Sequence, residues 1–441
     1  FEEMYYYRWR SLRKHIKETP VGYGMTEFLV QRSYSDKYNL IACAIGHHIY
    51  ESRWLRDPKY LDQIIHTWYR GNDGGPMKKM DKFSSWNADA VLARYMVDGD
   101  KDYLLDMKKD LETEYQRWER TNRLKNGLYW QGDVQDGMEE SISGGRRKKY
   151  ARPTINSYMY GNAKALSCIG ILSGDEGMAM KYGMRADTLK NLVENELWNT
   201  RHQFFETMRT DSSANVREAI GYIPWYFNLP DTTQKYEIAW KEIMDEKGFS
   251  APYGLTTAER RHLEFRTRGV GKCEWDGAIW PFASAQTLTA MANFMNNYPQ
   301  TVLSDSVYFR QMELYVESQY HRGRPYIGEY LDEMTGYWLK GDQERSRYYN
   351  HSTFNDLIIT GLIGLRPRLD NTIEVNPLIP ADKWDWFCLD NVLYHGHNLT
   401  ILWDKNGDRY HCGKGLRIFV DGKEVGQANT LTKIVCENAL K

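Results

Sequence analysis

The segment YMYGNAKALSCIGILSGDEGMAMKYGMRADTLKNLVENEL, residues 158–197, contains two runs of helical length separated by a turn. The first run covers residues 158–172, and Gly174 and Asp175 then supply the turn before residues 178–197. Small side chains that allow close packing of helices recur in the first run, namely Ala163, Ala165 and Ser167. The segment therefore predicts a helical hairpin.

The same alternation of helices and polar loops continues on both sides of this hairpin. Residues 101–118 carry apolar side chains at helical spacing after the turn at Gly99 and Asp100, and residues 283–295 form another such stripe. Hairpins that close on themselves and hairpins that stack into an open solenoid both fit this alternation. Because no repeat of fixed period is visible, we favour the closed arrangement.

The composition changes after Arg366 and Pro367. Strand-like runs now follow one another at residues 373–375, 398–403 and 416–420. The pairs Asn406-Gly407 and Asp421-Gly422 follow the second and third runs, and such pairs are strong hairpin signals. We therefore predict a helical domain over residues 1–365 and a small antiparallel β-domain over residues 366–441.

The overall charge narrows the choice of partners. The formal net charge is −1, which does not favour nucleic acid or an anionic membrane as a partner. Aromatic residues make up 14% of the chain, and aromatic side chains either fill a large core or line sugar-binding clefts. A carbohydrate partner is thus one reading of the composition, and the oligomeric state is left open.

The cysteines and phosphate motifs predict no metal or cofactor. The six cysteines contain no Cys-x-x-Cys pair, so a zinc site is not expected, although a disulfide between Cys388 and Cys412 in the β-rich tail stays open. The sequence contains no P-loop. The chain begins at Phe1 rather than Met, which fits a mature or trimmed protein, and we expect a periplasmic or secreted location rather than a cytoplasmic one.

The acidic loop over residues 133–144 is the first candidate for chemistry. It places four carboxylates within eight residues and is interrupted by glycine: Asp133, Asp136, Glu139 and Glu140. Crowded like charges raise the pKa of a carboxyl group, and a raised pKa is what a general acid needs near neutral pH. A solvated or calcium-binding loop is the alternative reading.

Two further stretches have a related character. In residues 328–336, Glu329 follows a glycine and precedes Tyr330. This pattern suits a second carboxylate for chemistry, but it is equally typical of an ordinary acidic turn. Residues 273–281 flank Asp276 with Trp275 and Trp280, which could form a stacking wall or simply pack a helix entrance. Separate acidic loops and aromatic walls together indicate glycoside cleavage, which needs one carboxylic acid and one carboxylate. The absence of a Gly-x-Ser-x-Gly motif argues against the usual serine hydrolases.

These stretches resemble the trehalase and processing α-glucosidase group, which comprises glycoside hydrolase families 37 and 63 and mannosylglycerate-hydrolase-like relatives. Residues 273–281 resemble that group's Tyr-Trp-Arg-Gly-Pro-x-Trp motif, and residues 135–139 resemble its Glu-Ser-Gly-x-Asp loop. Residues 329–336 match the spacing of its Glu-Asn-Tyr-Asn-Pro-x-Thr-Gly segment, ending in Thr-Gly. Further short matches, at residues 154–158, 251–255 and 350–354, follow in the same order.

The resemblance implies an (α/α)6 toroid that hydrolyses glycosides with inversion. It implies that Glu139 is the general acid and Glu329 the base, without a cofactor or metal. Substrate-binding positions are then expected at Trp130, Asp136, Trp275, Asp276, Trp280 and Tyr330.

The sequence also departs from the group's pattern. Asp276 stands where the group has Arg, and Glu139 stands where it has Asp, so the sugar specificity is open while the hydrolytic chemistry is retained. Glu140 and Asp136 remain alternatives for the acid. An exo-acting hydrolase is our leading interpretation, and a polysaccharide lyase on a similar toroid and a non-catalytic glycan-binding protein are the alternatives.

Overall fold

The computed structural model describes residues 1–440 and is mainly helical. The α-helices of this part of the chain are α1 Glu2–His15, α2 Ile45–Ser52, α3 Lys59–Arg70, α4 Asn87–Asp98, α5 Lys101–Asn122, α6 Pro153–Ser173, α7 Glu176–Leu192, α8 Ile223–Tyr226, α9 Pro281–Asn297, α10 Asp305–Ser318 and α11 Asn355–Leu357. Helix α7 continues into a π-helical turn over Val193–Leu197, and α11 continues into another over Ile358–Leu362.

The inner helices form a closed ring. Helix α2 contacts α4, α4 contacts α6, α6 contacts α8, α8 contacts α9, α9 contacts α11, and α11 returns to α2. Helices α6 and α9 are buried over most of their length, which requires the small and apolar side chains that their sequences supply. The ring is therefore closed by packing between neighbouring inner helices.

An outer layer covers the ring. Helix α1 packs on α11, and α3 packs on α2. Helices α5 and α7 both pack on α6, and α10 packs on α9. The 3-10 helix Glu237–Ile243 lies beside α8, where the rings of Trp240 and Trp225 are 5.3 Å apart. Helix α5 buries a single apolar stripe and exposes its other face, as expected for an outer helix. These layers confirm the predicted (α/α)6 toroid.

The helical hairpin predicted over residues 158–197 is present as α6 and α7. Gly174 ends α6 with a φ of 73°, a left-handed conformation that glycine adopts without strain. The side chain of Asp175 then caps α7 by accepting the backbone N–H of Met178 at 3.0 Å. Glycine and aspartate thus end one helix and begin the next.

The longest strands lie in the C-terminal part of the chain, where β13–β16 are longer than any strand before residue 365. Their bounds are β1 Ile16–Thr19, β2 Gly22–Met25, β3 Trp130–Gln131, β4 Tyr150–Ala151, β5 Trp198–Asn199, β6 Phe204–Phe205, β7 Ser250–Ala251, β8 Gly254–Leu255, β9 Tyr320–His321, β10 Arg324–Pro325, β11 Leu365–Arg366, β12 Ile373–Val375, β13 Trp386–Tyr394, β14 His397–Asp404, β15 Gly415–Val420, β16 Lys423–Ala428 and β17 Ile434–Cys436. Strands β13–β14–β15–β16 form one antiparallel sheet, and β11–β12–β17 form another. The division of the chain at residue 365 stays a prediction.

Both predicted hairpins are present, and their connections differ in length. Asp421 and Gly422, both with positive φ, join β15 to β16 as a two-residue turn. Asn406 and Gly407 instead begin a longer loop between β14 and β15. This loop is held by the carboxylate of Asp404, which accepts backbone N–H groups from residues 407, 409 and 410.

The sheets pack directly against the helices. The backbone N–H of His395 donates to the carbonyl of Val97 at the end of α4, at 2.7 Å.

All six cysteines, including Cys388 and Cys412, carry free thiols. Within residues 1–440, no helix combines the length and the apolar character needed to cross a membrane.

We predict that the packing of α6 against the end of α8 depends on Gly161 of α6. A Cβ at this position would overlap the ring of Phe227, so Gly161→Ala should lower the free energy of unfolding by about 1–3 kcal/mol. Gly183→Ala on α7 is the matched control, because its Cβ would lie 3.4 Å from Ser167 Oγ, an ordinary contact. Thermal denaturation should show a lower Tm for the first variant only. Equal Tm values for both variants would contradict this packing argument.

Candidate active site

A cavity of about 280 Å³ lies where the loops that precede the inner helices converge. Glu27, Tyr34 and Cys43 reach it from the chain before α2, and Lys82 and Phe83 from the chain before α4. Glu139 reaches it from the loop before α6, Cys273 and Trp280 from the chain before α9, and Glu329, Arg345, Tyr349 and His351 from the chain before α11. The cavity thus lies at the N-terminal end of the ring.

The loop that carries Glu139 is folded tightly. The backbone N–H of Met138 donates to the carbonyl of Asp133 at 2.8 Å, and Gly137 has a φ of 73° that brings the loop against Cys43. This turn directs Glu139 into the cavity. Burial, and secondarily the charge of Glu329, raise the pKa of Glu139 to about 7. Glu139 therefore keeps its proton to a higher pH than an ordinary glutamate does.

Glu329 lines the same cavity in a different electrostatic environment. Its carboxylate atom Oε2 lies 3.7 Å from Lys340 Nζ and 3.5 Å from a guanidinium nitrogen of Arg345. Burial raises the pKa of Glu329, and the charges of Lys340, Arg345 and Arg32 oppose that effect. Oε2 makes no hydrogen bond with any of residues 1–440. Glu329 can thus accept a proton through this atom.

One wall of the cavity is aromatic. The ring of Trp280 lines the cavity and stacks on Trp275 at 4.5 Å and on Tyr330 at 4.6 Å, with interplanar angles of 22° and 20°. The hydroxyl of Tyr330 donates to the carbonyl of Lys272 at 2.5 Å. Trp275 and Tyr330 therefore support Trp280 from both sides, and Trp280 is the member of the stack that lines the cavity.

Two carboxylates that were predicted to bind substrate, Asp136 and Asp276, do not line the cavity in the part of the chain that the structure describes, and each holds a loop in place instead. Asp136 is buried in an ion pair with Arg152 at 2.6 Å and also accepts the hydroxyls of Ser84 and Thr154. Asp276 is buried and accepts backbone N–H groups of Arg268 and Gly269, at 2.6 and 2.9 Å. These contacts anchor the loops that carry Glu139 and Trp280.

Trp130 and Glu140 also lie outside that lining. Trp130 packs under the ammonium group of Lys149, 4.4 Å from the ring centroid. Glu140 adopts a φ of 68° and forms an ion pair with Arg146. Of the predicted site residues, the cavity therefore brings together Glu139, Glu329 and Trp280, with Trp275 and Tyr330 behind them.

Glu27, Arg345 and His351 also line the cavity and were not predicted from the sequence. Glu27 gave one signal, since it is a charged residue between the apolar Met25 and the apolar run 28–30. Arg345 lies in a charged stretch that resembles a solvated loop. Nothing local in the sequence distinguishes Arg345 and His351, because the lining residues meet only when the ring closes.

The arrangement provides a proton donor and a proton acceptor on one cavity wide enough for a small molecule. Proton transfer between side chains and a bound molecule is thus a reaction that the cavity residues themselves can perform. Among residues 1–440, no group of three or more His, Cys, Asp or Glu side chains could hold a metal ion.

Comparison with known proteins identifies two matching family models. Residues 37–352 match the model of the mannosylglycerate hydrolase MGH1-like glycoside hydrolase domain. Residues 365–426 match the model of the glycosyl hydrolase family 65 C-terminal domain.

Solved structures are similar over most of the chain. One, named sialidase, is 95% identical to this chain, with a TM-score of 0.99. The match covers 100% of this chain but only 41% of the length of that protein. The GH63 mannosylglycerate hydrolase from Thermus thermophilus in complex with glucose has a TM-score of 0.62 at 12% identity, covering 81% of this chain and 99% of the other. A GH78 family rhamnosidase of Bacillus sp. GL1 has a TM-score of 0.58 at 11% identity, covering 86% and 37%. The last two share the fold.

The raised pKa of Glu139 predicts a pH-dependent effect on stability. Glu139 binds its proton more tightly in the folded protein, so its stabilising contribution is complete below pH about 4.5 and is lost as the pH rises through about 7. Glu139→Gln removes this loss. The Tm of the variant minus that of the wild type should therefore increase between pH 5 and 8. A difference that does not change with pH would show that Glu139 titrates normally.

Proposed function

Because the chain belongs to the mannosylglycerate hydrolase MGH1-like glycoside hydrolase family, we propose that it removes a terminal sugar by inverting hydrolysis. Glu139 is the general acid that protonates the leaving oxygen. Glu329 is the general base that activates a water molecule for attack on the anomeric carbon. Membership of a hydrolase family disfavours the lyase and the non-catalytic alternatives.

The observation that carries this proposal is the unequal environment of two carboxyl groups on one cavity. Burial without a close cation favours the protonated form of Glu139 at neutral pH, whereas Lys340 and Arg345 favour the ionised form of Glu329. Glycoside hydrolysis needs one carboxyl group in each of these states. The Oε2 atom of Glu329 makes no hydrogen bond within residues 1–440, although Lys340 and Arg345 lie near it, and this supports a role as base.

The size of the cavity supports an exo-acting enzyme. Ligand pockets commonly measure about 300–1,000 Å³, and this cavity, at about 280 Å³, lies just below that range. Such a volume fits a single sugar unit rather than several units of a polysaccharide. The edge of Trp280 is the part of the indole that can contact that sugar, because Trp275 and Tyr330 cover its two faces and fix its position. In this proposal Trp130, Asp136 and Asp276 act through the walls of the site rather than by contact.

The charges of the cavity favour a neutral sugar. Carboxyl groups of Glu27, Glu139 and Glu329 line it together with the cations Lys82 and Arg345. The cation closest to Glu329, Arg345, is already engaged by that carboxylate. The name sialidase belongs to a protein of which this chain spans 41%. A sialic acid would bring its carboxylate into a cavity where the anionic Glu329 already engages Lys340 and Arg345. We therefore expect glycosides of uncharged sugars to be the substrates.

Glutamine substitutions test the assignment of acid and base. On a panel of 4-nitrophenyl glycosides and reduced oligosaccharides of neutral sugars, the wild type should release one monosaccharide with inverted configuration, detected by proton NMR of the first product. Glu329→Gln and Glu139→Gln should each lower kcat by about 10²–10⁴-fold or more on a natural linkage. Both variants should remain folded by circular dichroism.

Glu140→Gln is the matched control, since Glu140 is adjacent in the chain but pairs with Arg146 outside the cavity lining described for residues 1–440. It should keep kcat within a few-fold of the wild type. Loss of activity in Glu140→Gln with retention in Glu139→Gln would transfer the role of the acid to Glu140. A first product with retained configuration would overturn the inverting mechanism.

The pH profile should identify Glu139 as the acid. The active form carries a proton on Glu139, so kcat/KM should fall as the pH rises through about 7, and it should also fall at low pH as Glu329 becomes protonated. A 2,4-dinitrophenyl glycoside needs no protonation of its leaving group. Glu139→Gln should therefore retain activity on this substrate and lose the alkaline decline. An alkaline decline that persists in Glu139→Gln would assign it to another group.

A further inference from the structure

Glu27 is a buried carboxyl group on the cavity that the acid and base roles do not use. It lines the cavity with Glu139 and Glu329 but lies on a separate segment of the chain, directly after β2. In the part of the chain that the structure describes, no Lys or Arg lies within ion-pair distance of its side chain, in contrast to Glu329. A buried carboxyl group without a cation favours its neutral form.

The groups around Glu27 on the protein side are weakly polar. The thiol of Cys43 donates to its carboxyl oxygens at 3.5 and 3.6 Å. His351 Nδ1 lies 3.7 Å from Oε1, beyond hydrogen-bonding distance, and burial lowers the pKa of this imidazole so that it is neutral. Burial raises the pKa of Glu27 to about 8. The titratable groups that face Glu27 are Tyr34, Cys43, Glu139, Glu329, Tyr349 and His351.

The backbone that carries Glu27 is held in place. The backbone N–H of Asn350 donates to the carbonyl of Glu27 at 2.9 Å, and its side-chain amide donates to the carbonyl of Thr26 at 3.1 Å. The imidazole of His15 forms a hydrogen bond with the hydroxyl of Thr26 at 3.0 Å. Glu27 is thus presented to the cavity from a fixed position, as a group that selects a ligand should be.

We propose that Glu27 determines substrate specificity by exchanging hydrogen bonds, as an uncharged carboxylic acid, with one hydroxyl group of a neutral sugar in the cavity. A neutral carboxylic acid offers one donor and acceptor oxygens, which matches the donor and acceptor capacity of a hydroxyl group. A buried polar group of this kind rejects a sugar that lacks the hydroxyl, because the group is then left without a partner. This inference rests on the proposed function for the nature of the ligand.

Three variants separate this role from a structural one. Glu27→Gln keeps a donor and an acceptor in the same shape, and Glu27→Leu keeps the size without either. Asp89→Asn is the matched control, because Asp89 is another carboxyl group whose pKa is raised by burial, to about 6, and it lines a different cavity. The probes are the free neutral monosaccharides of the panel and their monodeoxy analogues, with binding measured by tryptophan fluorescence and hydrolysis by KM and kcat of the 4-nitrophenyl glycosides.

Glu27→Leu should weaken binding of the parent sugar and raise KM by about 10–100-fold, while Glu27→Gln should stay within about 10-fold and Asp89→Asn should not change. For one monodeoxy analogue, the penalty seen with the wild type should disappear in Glu27→Leu, because both changes remove the same hydrogen bond. A structural defect would instead weaken all analogues equally. Unchanged ratios for every analogue would overturn the proposal.

Infrared difference spectra test the protonation state without any ligand. Wild type minus Glu27→Gln at pH 7 should show the carbonyl stretch of a protonated carboxylic acid, and a carboxylate band instead would overturn the proposal. Sugar binding that depends on Glu27 without any hydrolysis would contradict only the proposed function. A wild type that neither binds nor hydrolyses any sugar of the panel would contradict both.

Discussion

The ring of inner helices closes with its loops converging at one end, and this constraint places the loops before α2, α4, α6, α9 and α11 around a single cavity. Close packing between the inner helices requires glycine where an aromatic side chain lies against a helix, as at Gly161 beneath Phe227. The converging loops then bury polar side chains that in an open solenoid would stay in water. Once a carboxyl group is buried, its protonation state depends on whether a cation lies beside it.

Much of the fold could be predicted because its signals are local. Gly174 and Asp175 end one helix and cap the next through backbone geometry and one side-chain hydrogen bond, so a few residues suffice to locate the boundary. Asp421 and Gly422 likewise suffice to locate the turn between β15 and β16. Asn406 and Gly407 also mark the connection between β14 and β15, but the loop is longer than two residues because Asp404, at the end of β14, accepts three backbone N–H groups from it. Contacts beyond the turn itself decided its length.

The site was only partly predictable, for a related reason. Glu139 and Glu329 stand in glycine-bounded loops that resemble known motifs, and both line the cavity, although their roles stay predictions. Asp276 stands between two tryptophans but is turned away to accept backbone N–H groups, which no spacing rule reveals. Glu27 and His351 are 324 positions apart and meet only through closure of the ring. Long-range contacts of this kind leave no local pattern.

The carboxyl groups of the cavity reinforce one another's protonation states. Glu329 alone among Glu27, Glu139 and Glu329 has Lys and Arg at ion-pair distance within the described chain, so it is the group that ionises most readily. Its negative charge raises the pKa of Glu27 and of Glu139, which favours keeping both protonated. One anionic and two neutral carboxyl groups can therefore share a small cavity without mutual repulsion. The same arrangement supplies a base, an acid and an uncharged hydrogen-bonding group to whatever molecule the cavity holds.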